Sequence, residues 1–151
     1  MIDAKKFLIS FVVYIIVSNL LGYVIYAAGL GQYASAPYGQ GFNPVVLAVL
    51  TAASMVVVAI AFYISLRVYN GIRAPFRPVV PKFVGAFLIL FVGTYLLSTA
   101  YLYLTGAPNS LIPLYYHSWY LQSELLSPIV YALVMLYLSF LVYGVGKNQP
   151  Q

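Results

Sequence analysis

The sequence predicts an all-α integral membrane protein: a four-helix bundle with short loops and both termini on the cytoplasmic side. Three observations predict it. Hydrophobic residues make up 64% of the 151 residues and charged ones 6%, whereas ordinary soluble proteins carry roughly 25% charged residues. Four uninterrupted apolar stretches are each long enough to cross a lipid bilayer. All seven Lys and Arg residues then fall on one side of a chain that crosses four times. With two acids, seven bases and one histidine, no domain of this size could dress itself in a solvated surface.

A hydrocarbon core of about 30 Å calls for about 20 apolar residues of helix at 1.5 Å each. The first such stretch covers residues 7–30 and has no formal charge. Lys5 and Lys6, this apolar run and Ala34-Ser35-Ala36 loosely resemble a secretory signal. A run of about 24 residues nevertheless exceeds the usual 7–15 of a signal core, so the segment is expected to stay as a span. The second stretch covers about 44–69, where Asn43 followed by Pro44 suits a cap and a proline in the first helical turn. The third covers about 83–105 and the fourth about 125–145, the latter opened by Ser123 and Glu124, with the carboxylate at the positive end of the helix dipole. Runs such as VVLAVLTAASMVVVAIAF do not alternate, which removes a β-barrel. The connectors GLGQYASAPYGQGFNP, YNGIRAPFRPVVPK and TGAPNSLIP are rich in turn residues. No internal repeat or appended soluble segment is visible, so residues 1–151 are expected to form a single polytopic membrane domain.

Orientation follows from the bases. Lys5 and Lys6 precede the first span, Arg67, Arg73, Arg77 and Lys82 lie around the second connector, and Lys147 follows the fourth span. Residues 31–43 and 106–123 hold no Lys or Arg. The positive-inside rule then puts both termini and the middle connector in the cytoplasm of a cell membrane. Each base near an anionic leaflet contributes on the order of 1 kcal/mol, so Arg67, Arg73, Arg77 and Lys82 are expected to contact lipid headgroups or an acidic partner subunit. Nucleic acid is not expected, because the membrane competes for the same short basic connector.

Helices in lipid associate through close packing and a few hydrogen bonds, since the tails are as apolar as the side chains. The first span carries Ser10, Tyr14, Ser18, Gly22 and Tyr26 at steps of four, and the fourth carries Ser127, Tyr131, Met135, Ser139 and Tyr143 at the same step. Each series makes a ridge suited to packing. Ala48, Ala52 and Ala59, with Thr51 and Ser54 alongside, offer small residues on the second span; Gly85 and Gly93, then Thr94, Ser98 and Tyr101, do so on the third. Asn19 is the most polar residue near the middle of any span. Its carboxamide is expected to face a neighbouring helix or subunit rather than lipid, with a polar headgroup or quinone carbonyl as the alternative partner.

The composition removes much catalytic chemistry. Without cysteine there is no disulfide, thiolate nucleophile or Fe–S ligand, and the single His117 cannot build a multi-histidine metal site. No nucleotide or hydrolase motif is present, and the only acids, Asp3 and Glu124, lie near the two membrane surfaces. Small multidrug exporters also have four spans but depend on a first-span glutamate, which residues 7–30 lack. The segment around Tyr116, His117 and Trp119, with Glu124 beyond it, fits an aromatic belt at the outer interface. Its sharper reading is a docking surface or an outward-facing quinol site. Sixteen tyrosines, no cysteine and no N-x-[ST] sequon suit a prokaryotic membrane.

The leading functional expectation is therefore a non-catalytic accessory subunit of a larger membrane complex, respiratory or energy-converting. It would have no metal or cofactor of its own, stabilise partner subunits, and contact lipid or quinone. A small oligomeric transporter or lipid-carrier flippase, with Asn19 and the Ser/Tyr ridges as a polar path, is the second. A membrane enzyme using His117 and Glu124 is the third.

Overall fold

The computed structural model describes residues 1–30, 44–104 and 126–146. Those residues form four helices: α1 (Ala4–Ile25), α2 (Pro44–Asn70), α3 (Val80–Leu104) and α4 (Leu126–Tyr143). The described residues contain no strand. Three helical stretches are long and apolar enough to cross a membrane: Ala4–Gly29, Ala48–Asn70 and Val80–Leu97. The fourth helix has 18 residues, about 27 Å at 1.5 Å per residue, and its apolar part is Ile129–Tyr143.

Each helix begins and ends for a local reason. Asp3 caps α1: its backbone is extended, its carboxylate accepts from the Lys6 N–H at 3.0 Å, and its carbonyl accepts from the Phe7 N–H at 2.9 Å. The helix thus starts three residues before the apolar run, and Lys5 and Lys6 ride on its first turn. At the other end, Tyr26–Leu30 widens into a π-type turn that breaks at Gly29, whose φ of 105° suits a residue without a Cβ. Pro44 opens α2, where its missing N–H costs nothing. After Asn70 the chain turns at Gly71, φ 98°, while the Asn70 Nδ2 donates back to the Leu66 carbonyl at 2.8 Å. The start of α3 at Val80 places Pro81 in the first turn, again ahead of the apolar run. Past Tyr143 the Gly144 N–H donates to the Leu141 carbonyl at 3.1 Å and the Val145 N–H to the Phe140 carbonyl at 3.0 Å. This pair of bonds around a left-handed glycine satisfies the last carbonyls of α4 and tucks Val145 into the core.

The helices pack as two antiparallel hairpins, α1 mainly on α2 and α3 mainly on α4. Side-chain ties set the registers. The Asp3 N–H donates to the Tyr69 hydroxyl at 2.8 Å, and the Ser65 hydroxyl donates to the Ser10 carbonyl at 3.0 Å, joining α1 to α2. The Val79 N–H donates to the Tyr143 hydroxyl at 3.2 Å, joining the start of α3 to the end of α4. Gly93 lies against the Met135 thioether, where α3 packs on α4.

The two hairpins meet at the end where the chain begins. Phe140 is wholly buried among Phe7, Phe62 and Tyr69, with ring centroids at 5.6, 6.1 and 5.5 Å. Phe7 also meets Tyr137 edge-on, and Phe62 meets Phe83. Most of the core cluster lies in this half, including Ala61, Leu66, Ala86, Leu90 and Leu136. The Met1 amine is 3.5 Å from the Gly146 carbonyl, so the two ends of the described chain are neighbours. Gly146 combines a φ of 81° with the Met1 backbone 2.7 Å from where a Cβ would stand; only glycine fits there.

The small-residue expectation holds in part for α1, where Ser10, Tyr14 and Gly22 are buried but Tyr26 is exposed, and for Ser139 and Tyr143 of α4. On α2 it holds for Ser54 and not for Ala48 and Ala52. Ala48 and Ala52 are exposed, while the buried seam runs through Leu50, Ser54, Val57, Ala61 and Ser65. The hydrogen bond from Ser65 to Ser10 turns that second face, not the alanine face, toward α1. The side chains of Ser98, Tyr101 and Ser127 lie outside what the structure describes.

Candidate functional site

Two surfaces of this scaffold carry polar chemistry. The first is the end where the hairpins join. Lys5 and Lys6 on the first turn of α1, Arg67 on the last turn of α2, Arg73 and Arg77 between the helices, and Lys82 on the first turn of α3 share this end. The ties from Asp3 to Tyr69 and from Val79 to Tyr143 bring those segments together. The connector is held by Phe76, whose ring lies 6.1 Å from Tyr63 and 6.3 Å from Tyr143. Arg67 is half-buried and donates through Nη1 to the Ala74 carbonyl, so it closes the connector rather than reaching outward. Lys5, Lys6, Arg73, Arg77 and Lys82 are exposed. Interleaved with them are exposed Ile72, Val79 and Val80. Cations beside apolar side chains match the boundary between lipid headgroups and acyl chains. Asp3, the one acid at this end among the described residues, is committed to capping α1.

The second surface is the outward side of α1. Asn19 is exposed, and its Nδ2 donates to the Ile15 carbonyl at 2.7 Å, its only hydrogen bond among the described residues. Ser18 beside it is half-buried and donates to the same carbonyl at 3.1 Å. Among the described residues, then, Asn19 does not bridge to a neighbouring helix. The hydroxyls of the ridges are turned to backbone carbonyls instead: Ser10 to Lys6 at 2.8 Å, Ser139 to Met135 at 2.7 Å and Thr94 to Leu90 at 2.6 Å. A hydroxyl that satisfies itself on its own helix is compatible with an apolar interior.

Tyr116, His117, Trp119 and Glu124 lie outside the described residues, as does Lys147. Among the described residues no three His, Cys, Asp or Glu side chains gather where a metal ion would sit. Sequence reasoning overlooked Tyr69 and Tyr143 as ties and Asp3 as a cap. A signal was present: each tyrosine stands one or two residues before a turn glycine, Gly71 or Gly144, where the hydroxyl of a buried ring can accept from an N–H at the start of the preceding helix. Comparison with protein-family models, with curated proteins and with solved structures found no match to this chain.

Proposed function

We propose that this chain is a non-catalytic accessory subunit of a larger membrane complex, respiratory or energy-converting, which stabilises partner subunits and touches lipid or quinone at its edges. In that role it crosses the cell membrane four times as a helix bundle, with α4 making the fourth crossing. Both termini and the basic connector 71–79 face the cytoplasm. The observation that carries the reading is a contrast between inside and outside. At the joined end the interior is closed by aromatic rings and by hydroxyls tied to backbone carbonyls. Its polar and cationic groups face outward, where a partner or the lipid surface can meet them. A transport path along the Ser/Tyr ridges would need those hydroxyls turned to a hydrated channel.

Isolation of the tagged full chain in mild detergent is expected to bring down other membrane subunits in fixed stoichiometry, identified by mass spectrometry. A chain that comes down with nothing but itself overturns the accessory reading. Topology is tested separately. Because the sequence has no cysteine, Ile72→Cys and Ala34→Cys each introduce one reactive thiol. An impermeant maleimide added to intact cells is expected to label Ala34→Cys and to spare Ile72→Cys until the membrane is opened. The reverse pattern sinks the N-in, C-in arrangement.

A further inference from the structure

The outward side of α1 lacks a partner that its chemistry asks for. Ile9, Val12, Ile16, Asn19, Tyr23 and Tyr26 recur at steps of three and four and are all exposed. That spacing alone decides nothing, since any lipid-facing helix shows it. Asn19 sets α1 apart. Inside the four helices, leaving aside their first and last turns, it is the only exposed Asn, Gln or charged side chain among the described residues. It stands fifteen residues after Ala4, about 22 Å along the helix, well inside the apolar stretch. One N–H reaches the Ile15 carbonyl. The amide oxygen and the second N–H have no partner among the described residues, and lipid tails supply none.

The partner must both donate and accept in the same place. A carboxylate would leave the amide oxygen unmet, and an ammonium would leave the N–H unmet; a hydroxyl or a second amide answers both, and a copy of this chain brings the amide at the same depth of the same apolar seam. The twofold arrangement that places Asn19 opposite Asn19 also places Ile9, Val12 and Ile16 opposite themselves, in the 3–4 spacing that lets two parallel helices mesh. We propose that a second copy of this chain covers the outward side of α1, the two α1 helices pairing in parallel about an axis along the membrane normal with Asn19 hydrogen-bonded to Asn19. One buried asparagine in an otherwise apolar seam fixes the register of such a pair. The dimer is independent of whether other subunits join the complex.

The test uses the full chain in vesicles. Single-cysteine variants Val12→Cys, Ile16→Cys and Tyr23→Cys are expected to form disulfide-linked dimers on mild oxidation. Val24→Cys on the flank of α1 and Val92→Cys on α3, whose native valines are 59% and 44% exposed, are expected to stay monomeric. Asn19→Leu is expected to weaken association about tenfold, measured by energy transfer between labelled chains at increasing dilution in lipid, while Asn19→Gln keeps most of it. Because Asn19 is exposed, the leucine variant is expected to melt like the native chain, which separates loss of pairing from loss of fold. Equal cross-linking at Val24→Cys, undiminished association of Asn19→Leu, or cross-links from Ile16→Cys only to a different polypeptide would each overturn the proposal. Failure of other subunits to co-purify would leave the dimer standing, so the two readings fail separately.

Discussion

Phe140→Ala is expected to destabilise the protein by about 2–3 kcal/mol and to loosen one hairpin from the other. The side chain is fully buried and touches a ring on α1 (Phe7) and two on α2 (Phe62 and Tyr69), two of the contacts close to edge-on. In a water-soluble protein, Phe→Ala costs roughly 3–5 kcal/mol, part of it the transfer of the ring from water. In lipid that part is small, because the separated helix already keeps its phenylalanine in an apolar medium. What remains is the dispersion lost around the cavity and the favourable edge-to-face geometry, the latter about 0.5–1.5 kcal/mol per aromatic pair. Phe140 also supplies the carbonyl that accepts from Val145, but that bond belongs to the backbone and survives the substitution. The check is thermal unfolding in mild detergent, with Val142→Ala as control because Val142 is 49% exposed on the same helix. A faster tryptic cut after Arg73 is expected to accompany the lower melting temperature. If Phe140→Ala and Val142→Ala melt alike, the hairpins are not held together at this ring cluster.

Much of the fold is legible in the sequence because the lipid requirement is so blunt. Apolar runs of the right length between turn-rich connectors place α1, α2 and α3, and the clustering of Lys and Arg foretells that these residues share one end. The helix starts are less legible. Hydropathy marks where a chain can sit in lipid, whereas α1 starts where Asp3 can cap it and α3 starts where Pro81 fits the first turn. The inward faces are harder again. On α1 and α4 the serines and tyrosines stand out from their neighbours, and Ser10 with Tyr14 and Ser139 with Tyr143 mark the buried side, although Tyr26, at the same spacing, is exposed. On α2 both sides are apolar, and nothing in the alanines tells that Leu50, Ser54 and Val57 rather than Ala48 and Ala52 face inward. That choice depends on Ser65 meeting the Ser10 carbonyl across the helix pair, a contact between residues 55 apart. The polar surfaces follow the same division. The need of Asn19 for a partner is written in its chemistry, but that no described helix of its own chain meets it is visible only once α1 is packed.

Gly93→Leu is expected to drive α3 from α4, at a cost of about 1–3 kcal/mol for overpacking a filled contact. A Cβ at Gly93 would already collide with the Met135 Sδ. For Gly93→Ala the collision is with a flexible thioether that can turn aside, and alanine recovers up to about 1 kcal/mol of helix propensity over glycine; this variant is expected to be close to neutral. Leucine adds branched carbons that no rotation of Met135 can clear while the helices keep their separation. The comparison with Gly85 isolates the cause, since a Cβ there meets nothing within 4 Å. Gly85→Leu, which also gains helix propensity, is therefore expected to melt no lower than the native protein. A double-mutant cycle completes the test: Met135→Ala opens the space that the new side chain needs, so Gly93→Leu combined with Met135→Ala is expected to be more stable than the sum of the two single changes predicts. Strict additivity would mean that the two positions do not touch, and that α3 and α4 are held together only by Tyr143 at their base and by the apolar packing above it.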